Sequence, residues 1–319
     1  MQDGFGSADA LRLRDVEPPA PGAGEVLLRV RAAGCGPDVW HLITGLPYFV
    51  RVVPEFRKLS RGVRGRDAAG TVEAVGSNVT EFNPGDELMG IVEGSFAELA
   101  VGRADKLVPK PERLTFEQAA AVPISGITAV QAIHDEGKAE TGQRILVVGA
   151  AGGVGTLAVQ VAKAAGAHVT GVCSSSKGEL VRSIGADDVI DYTREDFADG
   201  NQHWDLIVDT AGRRSLSHLR RALTPKGTLV IVGGEGGNRW TGGFFRGVLR
   251  APLFSVFVGQ RLMAINAEER KDTLDQLAEL IESGEVTPVI DRSYPLAEAA
   301  EAVRHLEDGH AAGKIVVVI

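Results

Sequence analysis

The sequence predicts an α/β protein of two domains: a doubly wound parallel sheet in the middle of the chain and an irregular, mostly β domain built from both chain ends. Three observations carry this. Apolar runs alternate regularly with helical segments between residues 145 and 232, short strand-like runs broken by Gly, Pro and Asn fill the N-terminal third, and 319 residues suit two domains of ordinary size.

The first clear element is Glu25 to Ala33, EVLLRVRAA, where apolar and polar residues alternate as in a strand with one buried face. Pro18 to Gly24 form the turn before it. Similar runs follow at Ala69 to Val75, Glu87 to Val92 and Glu98 to Val101, with breaks such as Asn83-Pro84-Gly85-Asp86. The character changes near Thr115, where Phe116 to Val122 and Ile127 to Glu136 take helical spacing. Strands at 145–148, 168–173, 189–190, 206–209 and 228–232 then alternate with helices at 155–165, 177–184 and 215–222, the pitch of βαβ crossovers. Glu235 to Met263 is too apolar for a plain surface loop. A helix over 268–283, a strand over 289–294, a helix over 296–307 and a final strand over 314–319 complete the chain. A β domain of few, short strands needs more apolar partners, so this tail is expected to rejoin the first domain, giving boundaries of 1–119 with 260–319 and 120–259.

Composition narrows the function classes. The 42 acidic and 34 basic residues give a formal charge of -8 and are mixed along the chain, which disfavours nucleic acid and other polyanions. No apolar run reaches the roughly 18 residues a membrane span needs. Two cysteines, Cys35 and Cys173, build neither a disulfide framework nor a Cys-rich zinc lobe, and Met1 to Gly4 show no secretory signal. A cytoplasmic location is expected.

The segment Ile145-Leu-Val-Val-Gly149-Ala-Ala-Gly152-Gly153-Val154-Gly155 runs from a strand through a turn into a helix. Against G-x-G-x-x-G it reads A-x-G-x-x-G, with Ala150, Gly152 and Gly155 in the three places. A glycine at 152 lets backbone approach a pyrophosphate, the helix start offers N–H groups and a favourable dipole, and Gly155 allows close helix-to-strand packing. This pattern predicts a dinucleotide site, the alternative being a merely tight βα turn. At the end of the next strand, where NAD binders carry an acid about 20 residues on, stands Cys173-Ser174-Ser175-Ser176-Lys177. Serine hydroxyls and a lysine ammonium suit a 2′-phosphate, which favours NADPH; the alternative is a solvated Lys177 with Ser174 or Ser176 as helix N-cap.

These motifs, with GRDAAGTVEAVGSNVTEFNPGDELMG (65–90), AAAVPISGITAVQAI (119–133), CSSSKGELVRSIGADDVIDY (173–192) and GHAAGKIVVVI (309–319), resemble the medium-chain dehydrogenase/reductase superfamily, and within it the zinc-independent quinone oxidoreductase branch. The resemblance spans essentially the whole chain. It implies a GroES-like catalytic domain from both chain ends around a central Rossmann domain, an active site in the cleft, and a homodimer or homotetramer. Carried over by position, it puts Gly152, Gly153 and Val154 at the pyrophosphate, Ser174 and Lys177 at the 2′-phosphate with Ser175 beside them, Tyr192 on the adenosine side, Thr128, Gly233 and Gly234 near the nicotinamide, and Thr210-Ala211-Gly212 along the groove. Relatives also begin with a strand ahead of the Asp-Gly-Phe-Gly turn, where this sequence has Met1 and Gln2.

Zinc members of the superfamily hold their ion through a Cys, a His and a later Cys or Asp. Here those places carry Cys35, Arg66 and Ile124; arginine does not ligate a cation, and no metal is expected. His41, beside Trp40, is a weak substitute. Where the quinone oxidoreductases read Asn-Pro-x-Asp, this chain reads Cys35-Gly36-Pro37-Asp38, so Cys35 is either a small apolar pocket residue or a reactive thiol. Tyr48 is the candidate proton donor, or else an aromatic covering its loop. Without a Lewis acid, hydride transfer to an activated acceptor, an apolar quinone or enone, is favoured over an alcohol or aldehyde dehydrogenase reaction. Phe244, Phe245, Phe254 and Phe257 are expected to wall the substrate pocket and to contribute an oligomer contact; Arg239, Arg246, Arg250 and Arg261 among them leave a membrane-surface role as the weaker reading. A structural or regulatory NADPH-binding role without turnover, as in crystallins of the superfamily, is the alternative to catalysis.

Overall fold

The alternation that begins at Glu25 becomes strand β1, Glu25–Cys35, with Arg29 and Arg31 outward and Val26, Leu28 and Val30 inward. In the computed structural model, which describes residues 1–48, 51, 62–233, 251, 255 and 258–319, the chain divides into two units. One comprises Met1–Ile127, Glu269–Glu282 and Pro288–Ile319; the other comprises Thr128–Glu268 and Ser283–Thr287.

In chain order the first unit holds β1, helix α1 (Pro37–Thr44), strands β2 (Asp67–Val75), β3 (Glu87–Ile91), β4 (Leu99–Arg103) and β5 (Leu107–Pro109), and helix α2 (Phe116–Ala120). Helix α3 (Pro123–Val130) leads into the second unit. There β6 (Arg144–Val148), α4 (Gly153–Ala164), β7 (His168–Cys173), α5 (Gly178–Ser183), β8 (Asp188–Asp191), β9 (Trp204–Asp209), α6 (Leu216–Arg221), β10 (Leu223–Ile231) and β11 (Arg261–Ala264) follow. Helix α7 (Lys271–Glu282), β12 (Ile290–Pro295), α8 (Ala299–Glu307) and β13 (Lys314–Val318) belong to the first unit again. Helix α1 has no counterpart in the sequence analysis, although its punctuation is present: Pro37 opens it and Gly45 closes it at φ 59°.

The first unit is a seven-stranded sheet in the order β12-β13-β1-β2-β3-β5, with β4 also on β1. The last strand of the chain lies antiparallel to the first, Ala33 opposite Val317 and Cys35 opposite Ile315. Val26, Leu28, Val72, Leu88, Leu107, Val303 and Val317 meet in its core. Ahead of this sheet's first strand, Gln2 pairs with Gly62 in an isolated antiparallel bridge rather than in a strand.

The second unit is a six-stranded parallel sheet in the order β8-β7-β6-β9-β10-β11. Counted from β6, this is the 3-2-1-4-5-6 order of a doubly wound dinucleotide-binding sheet, with its switch point between β6 and β9. Strands buried on both faces read as continuous apolar runs, and Ile145-Leu-Val-Val and Leu206-Ile-Val are fully buried. Trp204 anchors the layer from inside, its indole N–H donating to Thr170 Oγ1 at 3.3 Å. Among the described residues no helix is long and apolar enough to cross a membrane.

One polar contact holds the first unit's core together. Lys314, at the start of β13, sends Nζ to Asp67 Oδ2 at 3.1 Å and to Ser125 Oγ at 3.0 Å, while Asp67 Oδ1 accepts the Ile124 N–H at 2.9 Å. Burial works against the charge on Lys314, but the carboxylates of Asp67 and Asp38 outweigh it and hold its pKa above the ordinary lysine value. Its stabilisation is therefore complete below that ordinary value and is lost as pH rises through the raised one. Lys314→Met leaves Asp67 buried without its cation and is expected to cost about 3–5 kcal/mol in urea unfolding. Adding Asp67→Asn should recover part of that loss; a double variant as unstable as the sum of the two singles would contradict the pairing.

Candidate active site

At the switch point the chain leaves β6 through Gly149, in a left-handed conformation at φ 85°, and enters α4 from Gly152. The glycines here serve different needs. A Cβ on Gly155 would stand 2.1 Å from Gly149 O, so the packing of α4 onto the turn requires a glycine there. A Cβ on Gly152 would meet only Gly149 O, at 3.4 Å, so the protein's own packing does not require one. What Gly152 preserves is open space against backbone at the start of a twelve-residue helix with no side-chain cap. That helix start carries N–H groups without intrahelical acceptors and the positive end of the dipole, a donor set that fits a pyrophosphate.

The neighbouring loops complete the crevice. Thr210 Oγ1 donates to Val148 O at 2.9 Å and packs over Gly149, tying the end of β9 to the end of β6. Asp209, 1% exposed, accepts the N–H groups of Ala211 (3.2 Å) and Gly212 (3.1 Å) on Oδ1, and its carbonyl oxygen accepts those of Val232 and Gly233. This aspartate shapes both loops, and nothing local in the sequence marks it: Leu-Ile-Val-Asp at a strand end carries no distinguishing spacing. Gly152, Gly153, Val154, Thr210, Ala211 and Gly233 thus gather at the ends of β6, β9 and β10. Thr128 stands apart on α3, buried, and Gly234 lies outside the described residues, as do Trp240, Phe244, Phe245, Phe254, Phe257, Arg239, Arg246 and Arg250.

The serine and lysine cluster follows β7 as a 3₁₀ turn, Ser175–Lys177, ahead of α5. Neither Ser174 nor Ser176 caps a helix N–H; their hydroxyls lie 3.3 Å from each other. Ser175 differs, because its hydroxyl donates to Asp191 at the end of the adjacent β8. Asp191 also accepts from the Thr193 N–H (3.0 Å) and hydroxyl (2.7 Å), and these hydrogen bonds, that of Ser175 foremost, hold its carboxyl below the ordinary range. Tyr192, next along, is 49% exposed and fastened by its N–H to Cys173 O. Ser174, Lys177 and Tyr192 therefore flank the ends of two adjacent strands. The pairing of β7 with β8 sets Asp191 opposite Cys173, beside the serine turn.

The first unit holds the remaining candidates. Cys35 is 1% exposed, and burial, with Asp38 nearby, pushes its thiol up to about 12. Of the two readings left open for it, this supports the apolar filler. Asp38 has a buried Oδ2 with no hydrogen-bond partner among the described residues, and burial followed by the charge of Asp67 raises its pKa. Tyr48 presents its ring to the Arg51 guanidinium, 4.8 Å from the ring centre, and Arg51 also donates to Thr44 O and Gly45 O. His41 is occupied too, its Nδ1 bonded to Leu46 O and its ring packed edge-on against Trp40. The places of the three zinc ligands thus hold a thiol that stays protonated, a guanidinium and an isoleucine, and these do not fit a catalytic zinc. Arg66 pairs instead with Glu269, which also takes Lys106.

Comparison with known proteins agrees with this geometry. Residues 22–112 match the alcohol dehydrogenase GroES-like domain, and residues 184–317 match the zinc-binding dehydrogenase family. The chain is 32% identical to NAD(P)H oxidoreductase RTN4IP1, mitochondrial, of Bos taurus, covering 99% of this chain and 87% of that one. It is also 32% identical to the quinone oxidoreductase of Rattus norvegicus, over 98% and 93% of the two chains. A mycobacterial structure complexed with NADPH superimposes at a TM-score of 0.83 with 26% identity, covering 99% and 97%.

The state of Cys35 is directly measurable. At pH 7 to 8 the folded protein is expected to leave this thiol unmodified by a thiol-specific disulfide reagent, with labelling only on unfolding. Stoichiometric labelling of Cys35 in the native state, located by peptide mass, would show that the thiol is exposed and ionised.

Proposed function

The chain belongs to the quinone oxidoreductase-like branch of the medium-chain dehydrogenase/reductase superfamily and is an oxidoreductase with a nicotinamide cofactor; from that premise we propose that it uses NADPH to reduce an activated acceptor, a quinone or an α,β-unsaturated carbonyl, without a metal. The observation that carries the proposal is the switch-point turn, where Gly152 keeps open a backbone cradle that the protein's own packing does not need.

NADPH supplies a hydride when bound. Gly153 and Val154 hold its pyrophosphate through backbone N–H groups, Gly152 leaves the room for it while its own N–H donates to Gly149 O, and Asp209 keeps the loops after β9 and β10 in place around it. The hydroxyls of Ser174 and Ser176, uncommitted to capping, and the ammonium of Lys177 take the 2′-phosphate. Ser175 serves by fixing that turn to Asp191, and Tyr192 covers the adenosine side. The relative solved with NADPH supports the choice of cofactor.

The acceptor follows from the groups in the first unit. A protonated thiol, an arginine and an isoleucine supply no Lewis acid, so an acceptor whose own conjugation spreads the incoming charge suits this set better than a simple aldehyde. The rat relative's name supports a quinone. Two buried, unpaired cysteines accord with a reducing compartment.

NADPH oxidation followed with a panel of quinones and enones tests the reading. Turnover on at least one class is expected, and tight NADPH binding with no turnover on any would overturn the enzymatic part. The cofactor assignment has its own test in binding titrations. Lys177→Ala is expected to weaken NADPH about tenfold or more, worth ~1.4 kcal/mol, with NADH changed by less than about twofold; equal loss for both cofactors would refute the 2′-phosphate contact.

A further inference from the structure

The glycine turn and the serine turn of the second unit are joined through the end of β7. Gly149 and Ala150 both donate their N–H groups to Val172 O, at 3.0 and 3.1 Å, and Ser174 follows just beyond it in the chain. On the other side of β7, β8 runs parallel with Asp191 opposite Cys173, and the Tyr192 N–H donates to Cys173 O at 3.1 Å. Main-chain bonds of a single sheet thus bring a carboxylate beside the serine turn at the rim of the crevice. Charge in this place bears on the cofactor. NADH and NADPH differ at one group, a ribose 2′-hydroxyl that a carboxylate accepts or a 2′-phosphate that it repels.

The two oxygens of Asp191 are engaged differently. Oδ1 accepts the N–H and the hydroxyl of Thr193, at 3.0 and 2.7 Å, within a local turn. Oδ2 accepts the Ser175 hydroxyl, which reaches it from the adjacent strand end. Arg194 Nε stands 3.6 Å from Oδ2, beyond hydrogen-bond distance, and its side chain is mostly exposed. A serine hydroxyl has a single proton, and Ser175 commits it to Asp191, while the Ser174 and Ser176 hydroxyls lie 3.3 Å from each other. A hydroxyl donor on an ionised oxygen offsets part of its field and fixes its rotamer. Without the Ser175 hydroxyl, Oδ2 has no hydrogen-bond donor among the described residues.

We propose that Ser175 sets the choice between NADPH and NADH by occupying the Asp191 oxygen that would otherwise accept a ribose 2′-hydroxyl and repel a 2′-phosphate. The proposal rests on the reading of this crevice as the NADPH site. Ser175 acts through Asp191 and is a positioning residue. Ser174, Ser176 and Lys177 meet the phosphate, and Ser175 keeps the one nearby carboxylate from competing with it.

The test is binding of NADPH and NADH, each titrated by fluorescence on the full chain, in wild type, Ser175→Ala, Asp191→Asn and the double variant. A merely structural role for Ser175 would move both affinities together; the proposal requires them to move in opposite directions. Ser175→Ala is expected to weaken NADPH about fivefold and to tighten NADH about threefold, the scale of one charge-assisted hydrogen bond at a solvated site. The gain for NADH should vanish in the double variant, because it needs the carboxylate. Ser175→Thr keeps the hydroxyl and should keep the wild-type preference. Equal changes for both cofactors in a folded Ser175→Ala, or a gain for NADH that survives in the double variant, overturns the proposal. If Ser175→Ala does not fold, Asp191→Asn carries the test: the ratio of NADPH to NADH affinity should rise at least twofold or so, and an unchanged ratio overturns the proposal. Wild type that binds NADH as tightly as NADPH is instead a failure of the NADPH reading, and the ratio in Asp191→Asn still decides whether Asp191 faces the ribose.

Discussion

The ion pair between Asp67 and Lys314 is the constraint from which the first unit is organised. The two residues are far apart in the chain and both are almost fully buried, so neither charge is tolerable without the other. Their contact fixes the last strand against the first part of the chain, and the spare oxygen of Asp67 fixes Ile124 at the start of α3. The adjacent residues inherit this rigidity. Gly34 has no room for a side chain, since a Cβ there would stand 2.8 Å from the Asp67 carboxylate. Arg66, one residue before the pair, is held at the edge of the buried network with its guanidinium outside it.

The second unit is organised by a different interaction, the close approach of α4 to the turn after β6. Gly155 allows that approach and Thr210 secures it from the neighbouring strand. Parallel strands place all their C-terminal ends on one side, so the loops after β6, β7, β9 and β10 converge although they are distant in sequence. Asp209 converts this convergence into fixed geometry by bonding to four backbone N–H groups of two loops. A single buried carboxylate residue thereby defines much of the crevice without pointing at a ligand.

Much of this was legible in the sequence, for identifiable reasons. Alternating apolar runs and helices carry their own period, and the strands of the second unit lie close to the expected ranges. The glycine turn was legible because strand, turn and helix are contiguous. Boundaries shifted where local chemistry intervened: the helix expected over 177–184 starts as a 3₁₀ turn at Ser175 and becomes α-helical at Gly178, and the helix expected over 127–136 starts earlier, at Pro123, runs α-helical to Val130 and widens into a π-helix over Gln131–Glu136. Helix α1 went unread because eight residues between a Pro and a Gly offer little periodicity, although both end signals are there.

Sequence alone determined the class of fold and the glycine turn, because both depend on residue types at short fixed spacings; that Cys35, Arg66 and Ile124 occupy the places of zinc ligands is what the family resemblance implied. Only the tertiary structure decided what those residues do instead. That Cys35 is sealed, that Asp191 draws Ser175 away from its neighbouring serines, and that Glu269 joins Arg66 to Lys106 all depend on partners between 16 and 203 residues apart in the chain. Pairing of that kind is written in strand order and burial, which no local pattern encodes, and it is what turns a set of plausible side chains into a site with a defined charge.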